Sequence, residues 1–239
     1  FQGGRLEFAP DKNDEEKASI ENRCLLRSRF DKITIIAGDR FEMGGFANPV
    51  TQNIEVSLTY PKQSPFFQHE LVHRLMYEHN DFYIGPLGRI FSLAMMPTWW
   101  IEGLAEYLTE SAGAAETDAL ERSMALAGNW PSWERLHALY HTDNGVTRRG
   151  YVTSGRFLGW IFSQSQEKDL YVIHEQISKK TVTPPFYNAA NSWLKHHLGE
   201  DGQTLYKQFQ VLKKNEWNRY LNGMPSLLSA DKALFSKDH

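Results

Sequence analysis

One five-residue stretch, His69-Glu70-Leu71-Val72-His73, limits what this chain can be more than any other part of its 239 residues. On an α-helix, positions four apart lie on the same face, so both imidazoles can reach one Zn²⁺ ion while Glu70 lies beside the metal's open side. Chance explains the spacing poorly, because composition predicts only about 0.03 matches in such a chain. The alternative is a helix whose histidines only cap or pack. The stretch predicts two metal ligands and an adjoining acid on one helix.

Two histidines do not complete a catalytic zinc site, which usually has three protein ligands and a fourth position for water. The segment 97–107 begins with a proline, favours a helix, and carries Glu102 and Glu106 four positions apart on one face. Packed antiparallel to the first helix, it could offer Glu102 to the metal and Glu106 to the far nitrogen of a ligating histidine. A solvated acidic face is the alternative, but the large apolar residues of this segment argue against it.

Charge and cysteine content exclude several other classes of protein. The 26 basic and 29 acidic residues give a net charge of −3, without the basic surplus that nucleic-acid binding needs. The single cysteine, Cys24, excludes an intrachain disulfide and a cysteine-rich metal site. No run approaches the roughly 18 apolar residues of a membrane helix, and no phosphate-binding loop or Gly-x-Ser-x-Gly turn is present. We therefore expect neither a nucleic-acid partner nor a transmembrane segment.

The order of patterns along the chain predicts an α+β fold in one domain, 1–239. A helical pattern at about 14–30 and β-branched runs at 33–36 and 54–58 predict a helix and a small mixed sheet over about 14–64. The lobe from about 65 to 225 is predicted to be helical. Its helices are expected near 66–79, 98–111, 116–127, 131–141, 151–165, 185–198 and 202–221. Residues 1–4 look like the remnant of an engineered cleavage site, so we expect a trimmed native start and signal peptide.

The pairing of His-Glu-Leu-Val-His with the later Trp-x-x-Glu-Gly-x-Ala-x-Tyr resembles the gluzincin metallopeptidases, the group that contains thermolysin and aminopeptidase N. It looks most like the bacterial peptidase-MA-like domains. The resemblance implies a zincin-like fold with one Zn²⁺ between the lobes, bound by His69, His73 and Glu102. It also implies Glu70 as the catalytic acid–base and Glu106 as a carboxylate behind a ligand. Glu102 follows His73 by 29 positions, more than in aminopeptidases, so we expect an inserted loop or hairpin at 83–96.

A weaker match lies in the segment 149–155. In aminopeptidase-like members a tyrosine in a similar segment donates a hydrogen bond to the oxyanion, which implies this role for Tyr151, although its glycine stands one position further on. The alternative is an ordinary amphipathic tyrosine at a helix start. Aminopeptidases also use a Gly-x-Met-Glu-Asn segment whose glutamate captures the substrate's amine. Ala47 stands at that position here, within 44–48, which favours an endopeptidase over an aminopeptidase.

The resemblance therefore implies zinc-dependent hydrolysis of a peptide or protein substrate, in an extracytoplasmic location and with further domains beyond this chain. Two alternatives stay open. One is a zincin-fold peptide-binding module without activity, and the other is a hydrolase acting on a different amide or ester. The second shares every residue named above.

The remaining candidate residues are expected to be structural or solvent-facing. His137 and His141 have helical spacing but no acid between them, and His196 and His197 are adjacent and so lie on different faces. Three arginines surround Tyr151 and either bind a substrate carboxylate or face solvent. They are Arg148, Arg149 and Arg156. Apolar residues near the second motif line a subsite or, more often for such patterns, belong to the core: Phe91, Met95, Trp99 and Trp100.

Overall fold

A computed structural model of the chain describes most of the residues on which these predictions depend. The described residues are 35–38, 45–49, 51, 53–57, 65–79, 87, 90, 95–109, 114–137, 144–166, 169–181 and 189–223. The predicted helix at about 14–30 and most of the predicted insertion at 83–96 lie outside them.

Three short strands form a mixed sheet, as predicted. They are β1 (Ile35–Gly38), β2 (Gly45–Ala47) and β3 (Ile54–Ser57), in the order β1-β3-β2. β1 runs parallel to β3, which confirms the predicted pairing of the two β-branched runs, and β2 runs antiparallel to β3. β2 was not predicted, because three residues beginning with a glycine carry almost no strand signal.

The register of β2 determines which of its backbone groups are hydrogen-bonded to β3 and which point away from it. The amide of Asn48 donates to the carbonyl of Asn53 at 2.9 Å, so this pair and the pair two residues back, Phe46 with Glu55, are the hydrogen-bonded ones. In an antiparallel ladder the intervening residues point their amides and carbonyls the other way. The backbone groups of Gly45 and Ala47 therefore face away from β3, toward the edge that β2 forms among the described strands.

Helices make up most of the described chain, and with the small sheet they confirm the α+β class. They are α1 (Pro65–His79), α2 (Thr98–Thr109), α3 (Ala114–Ala127), α4 (Trp133–His137), α5 (Asn144–Gln164), α6 (Leu170–Thr181), α7 (Ala189–Leu198) and α8 (Gly202–Gly223). Helix α6 was missed, although Asp169 accepts a hydrogen bond from the Val172 amide and caps its start. Helix α5 begins seven residues earlier than predicted. Gly145 favours a turn before the helix, but in the structure it lies within the first turn of the helix itself. Among the described helices, none has the length and apolar character to cross a bilayer.

Helices α2 and α5 approach each other closely at two glycines. A Cβ atom at Gly103 of α2 would lie 2.9 Å from the backbone carbonyl of Ser154 on α5. A Cβ atom at Gly155 of α5 would lie 2.9 Å from Cγ of Glu106 on α2. Real side chains do not pack this tightly, so both positions need glycine for the observed spacing. The contact fixes the helix carrying Glu102 against the helix carrying Tyr151.

Buried aromatic side chains pack around helices α2 and α5. Trp99 and Trp100 are 1% and 0% exposed, which assigns both to the core and removes them as lining of a substrate subsite. The ring of Trp99 lies 5.6 Å from that of Phe157 on α5. Trp100 donates its indole hydrogen to Nδ1 of the buried His174 at 3.3 Å. The two tryptophans therefore anchor α2 against α5 and α6.

Candidate metal centre

Two helices bring the three predicted ligands together. His69 and His73 project from the same face of α1, and Glu102 meets them from α2. The Nε2 atoms of His69 and His73 lie 3.1 Å and 3.2 Å from the same oxygen, Oε2 of Glu102. All three residues are at least 94% buried, and their donor atoms lie within 4.8 Å of one another. This group could hold a metal ion.

The donor set and spacing fit a divalent metal. Zinc sites have metal–donor distances of about 2.0–2.2 Å, which places tetrahedral donors about 3.4 Å apart, close to the two observed separations. Glu102 is the hydrogen-bond acceptor for both Nε2 atoms, and among the described residues neither of the buried Nδ1 atoms has a hydrogen-bond partner. Buried polar nitrogens rarely go unpaired. A metal at the Nε2 atoms would instead make each Nδ1 a donor.

The electrostatics of the pair His73 and Glu102 show why this cluster is tolerated in the interior. Burial raises the pKa of Glu102, but the charge of His73 and hydrogen bonds from both histidines lower it more, leaving it far below its usual range. Burial lowers the pKa of His73, but the charge and hydrogen bond of Glu102 raise it above its ordinary value. When His73 is protonated, the two groups therefore form a buried ion pair, with Nε2 of His73 3.2 Å from Oε2 of Glu102.

Glu70 lies beside this group and is fixed to the sheet. Its Oε2 accepts a hydrogen bond from the backbone amide of Ala47 at 2.8 Å. Burial and the charge of Glu102 raise the pKa of Tyr77 and of Tyr151, and the charge of Glu70 adds to both shifts. Glu70 is thus close enough to act on the groups that surround the three ligands.

Glu106 lies behind the first histidine, where the sequence predicts it. It is 2% exposed, and its Oε2 is 3.8 Å from Nδ1 of His69. That distance is within ion-pair range and longer than a hydrogen bond. Glu102 and Glu106 thus face opposite nitrogens of one imidazole ring, which limits its rotation.

Two tyrosines border the histidines. The ring of Tyr151, on α5, lies 6.0 Å from that of His69 with a tilt of 39°. The ring of Tyr77 stacks on that of His73 at 6.3 Å with an angle of 11°. Tyr77 was missed in the sequence, although it lies four positions after His73 and so on the same helical face. Nothing in its residue type marks it as more than a core aromatic.

The other candidate residues lie away from this group or have structural partners. Arg148 pairs with Glu116 at 3.4 Å, Arg149 donates to the backbone carbonyl of Asn129, and Arg156 pairs with Asp118 and Glu121. Nδ1 of His137 donates to the carbonyl of Trp133 at 3.0 Å, and the ring of His197 stacks on Trp193. His141 and Phe91 lie outside the described residues. The contact of His137 agrees with its expected structural role, whereas the three arginines, expected to bind a substrate carboxylate or to face solvent, have partners within the protein.

Comparisons with protein-family models, curated proteins and solved structures gave no match. Fold alone would not specify an activity in any case, because one fold can support many chemistries. Function is therefore inferred from the residues of the site.

Proposed function

We propose that this protein is a zinc-dependent endopeptidase of the gluzincin type. The single observation that carries the proposal is the meeting of His69, His73 and Glu102 in one buried group, with Glu70 beside it. Two histidines and a glutamate are a donor set found in catalytic zinc sites, which keep a fourth position for water or substrate. When bound, zinc would polarise a carbonyl group and lower the pKa of water from 15.7 toward about 7.

Glu70 is the group that moves the proton. As a carboxylate it can take a proton from the attacking water and later give that proton to the leaving amine. Its position next to His69 in the sequence puts it at the edge of the ligand group and not within it. The hydrogen bond to the Ala47 amide leaves its second carboxylate oxygen, Oε1, to accept from water.

Glu106 orients one ligand. A carboxylate behind a ligating histidine fixes its tautomer and raises its basicity, and loss of such a partner typically weakens metal binding by about 10- to 100-fold. Glu106 lies on the Nδ1 side of His69, which leaves Nε2 for the metal. Its carbon chain is packed on Gly155, so the carboxylate has little freedom to turn away.

A peptide substrate is supported by the outer edge of β2. Among the described strands β2 lies at an edge of the sheet, next to Glu70. The Ala47 amide is bonded to Glu70, but the carbonyl groups of Gly45 and Ala47 point to this edge, and an extended peptide can bind by adding a strand to such an edge. No side-chain carboxylate projects from the described strand β2 to bind a substrate's free amine. The site therefore favours cleavage within a chain over removal of N-terminal residues.

Tyr151 is proposed to stabilise the oxyanion formed when water attacks. Burial and the surrounding carboxylates raise its pKa, so its hydroxyl stays protonated at neutral pH, as a hydrogen-bond donor must. Tyr151→Phe should lower kcat by about 10- to 1000-fold, the scale of one oxyanion donor. Steady-state kinetics on a quenched fluorescent peptide measures this, with the exposed Tyr220→Phe as the matched control. An unchanged kcat would contradict the proposed role and leave Tyr151 as a residue that only packs in the structure.

Zinc binding is expected to weaken as the pH falls. His73 has a raised pKa in the metal-free protein, so at lower pH it holds a proton that the metal must displace, and at higher pH it does not. Competition with a chromogenic chelator between pH 5.5 and 8 should give an affinity that rises with pH. Calorimetry in two buffers of different ionisation enthalpy should detect proton release on binding. An affinity independent of pH, without proton release, would contradict the ion pair of His73 and Glu102.

The decisive test of the proposal combines metal content and activity. Elemental mass spectrometry should find about one zinc per chain in the wild type and none in His69→Ala, and a peptide library should be cleaved by the zinc-loaded wild type. A protein that binds zinc and cleaves no peptide would contradict the peptidase assignment and favour a binding module. An extracytoplasmic location, which the sequence resemblance implies, is part of the same proposal and would be tested by fractionation of cells that express the full-length protein.

A further inference from the structure

We propose that strand β2 positions Glu70 for proton transfer through two backbone features: the amide of Ala47 and the absence of a side chain at Gly45. The inference depends on the proposed function, because it assigns a positioning role toward the general base of that reaction. Neither residue has a functional group in its side chain. Their contribution comes from where the strand lies against helix α1.

The first feature is a fixed hydrogen-bond donor. The register of β2 turns the Ala47 amide away from β3, and that amide donates to Oε2 of Glu70 at 2.8 Å. On the other edge of the same strand, Asn48 is bonded to Asn53 of β3. Ala47 itself is 1% exposed. The donor therefore belongs to a backbone segment held from both sides, and it cannot turn away as a side-chain donor could.

The second feature is the space above Gly45. A Cβ atom at this position would lie 2.8 Å from Cγ of Glu70 and 3.4 Å from the backbone oxygen of Glu55. Side-chain carbons do not approach each other to 2.8 Å, and here the neighbour is an inner carbon of Glu70 and not its mobile end. The side chain of Glu70 thus passes over Gly45 to reach the Ala47 amide, and any residue with a Cβ atom at position 45 would clash with it.

Together the two features determine where the second carboxylate oxygen lies. A glutamate side chain has three rotatable bonds, and ordering it costs conformational entropy. Because the contacts with β2 already order this side chain in the folded protein, that entropy is not lost again during the reaction. With Oε2 bound to the amide and Cγ lying against Gly45, Oε1 is left to accept the proton of the attacking water. Catalytic groups displaced by about 1 Å can lose about 100-fold in rate, so this positioning has a measurable effect.

The hydrogen bond can be tested without any activity. In Glu70→Ala, exchange of the Ala47 amide with deuterium, followed by NMR, should accelerate by about 10-fold or more, the scale of one hydrogen bond to a charged group. The Asn48 amide is the internal control, because its acceptor is the carbonyl of Asn53 and its exchange should not change. An Ala47 amide that exchanges equally fast in the wild type and in Glu70→Ala would overturn the inference.

The positioning role is tested by Gly45→Ala in the zinc-loaded protein. We expect kcat to fall by about 10- to 100-fold with KM and zinc content within twofold of the wild type, because the added carbon displaces Glu70 and not the ligands. Gly223→Ala is the matched control, since a Cβ atom there meets nothing within 4 Å. A kcat equal to that of the wild type, or a loss of zinc in parallel with kcat, would overturn the role.

Failure of this inference and failure of the proposed function give different results. A wild-type protein that cleaves no peptide would overturn the function and, with it, the catalytic role of β2. An active wild type with unchanged kcat in Gly45→Ala would overturn the positioning role alone. If Gly45→Ala does not fold, Glu70→Ala still decides whether the amide contact exists.

Discussion

Replacing Glu70 by Gln is expected to reduce kcat for peptide hydrolysis by about 100- to 10,000-fold, the usual contribution of a general acid–base group. Glutamine has the same shape and its amide oxygen can still accept the hydrogen bond from Ala47, but it cannot take up a proton at neutral pH. Since Glu70 is not a member of the ligand group, the zinc content should stay at one per chain. Kinetics and elemental mass spectrometry on one preparation measure both quantities.

The exposed Glu200→Gln is the matched control for this prediction, because it makes the same chemical change on the surface. Its kcat and zinc content should equal those of the wild type. A Glu70→Gln protein as active as the wild type would remove Glu70 from the mechanism. Loss of zinc in that variant would mean that Glu70 belongs to the metal site.

Replacing Glu102 by Ala should instead act on the metal. Partners behind a ligand contribute about 10- to 100-fold to metal affinity, so loss of a direct ligand should weaken zinc binding by more than about 100-fold. In the folded protein this change also removes the acceptor for both Nε2 atoms. Hydrolysis should disappear together with zinc and return in part when excess zinc is supplied.

Chelator competition measures the affinity, and thermal unfolding of the metal-free forms shows whether the variant is folded. Glu116→Ala is the matched control, because Glu116 is exposed and paired only with Arg148 at 3.4 Å among the described residues. A folded Glu102→Ala protein with wild-type zinc affinity would show that the third ligand is a different residue.

The sequence could predict the candidate ligands because their arrangement depends on local geometry. Helix periodicity alone places His69 and His73 on one face, and the same rule places Glu102 and Glu106 on one face of a second helix. Only the packing of α1 against α2 had to be assumed. The structure brings these four residues together as that assumption requires.

The contribution of β2 could not be predicted, and the reason is physical. Its contact with Glu70 uses a backbone amide, which every residue except proline has, and an absent side chain at Gly45. Neither leaves a pattern in residue types. Helix α6 was missed for a related reason, since the segment from Leu170 mixes β-branched, charged and polar residues, and its buried face is defined by neighbours distant in sequence.

The close glycine contacts group the elements of the site into two tightly packed halves. One half is α1 with β2, which carries both histidines and Glu70, and the other is α2 with α5, which carries Glu102 and Tyr151. A bound metal ion would link the two halves, since its proposed ligands come from both. In the proposed mechanism the third ligand and the oxyanion donor belong to the same half, so a change in the packing of α2 against α5 is expected to affect zinc affinity and turnover together.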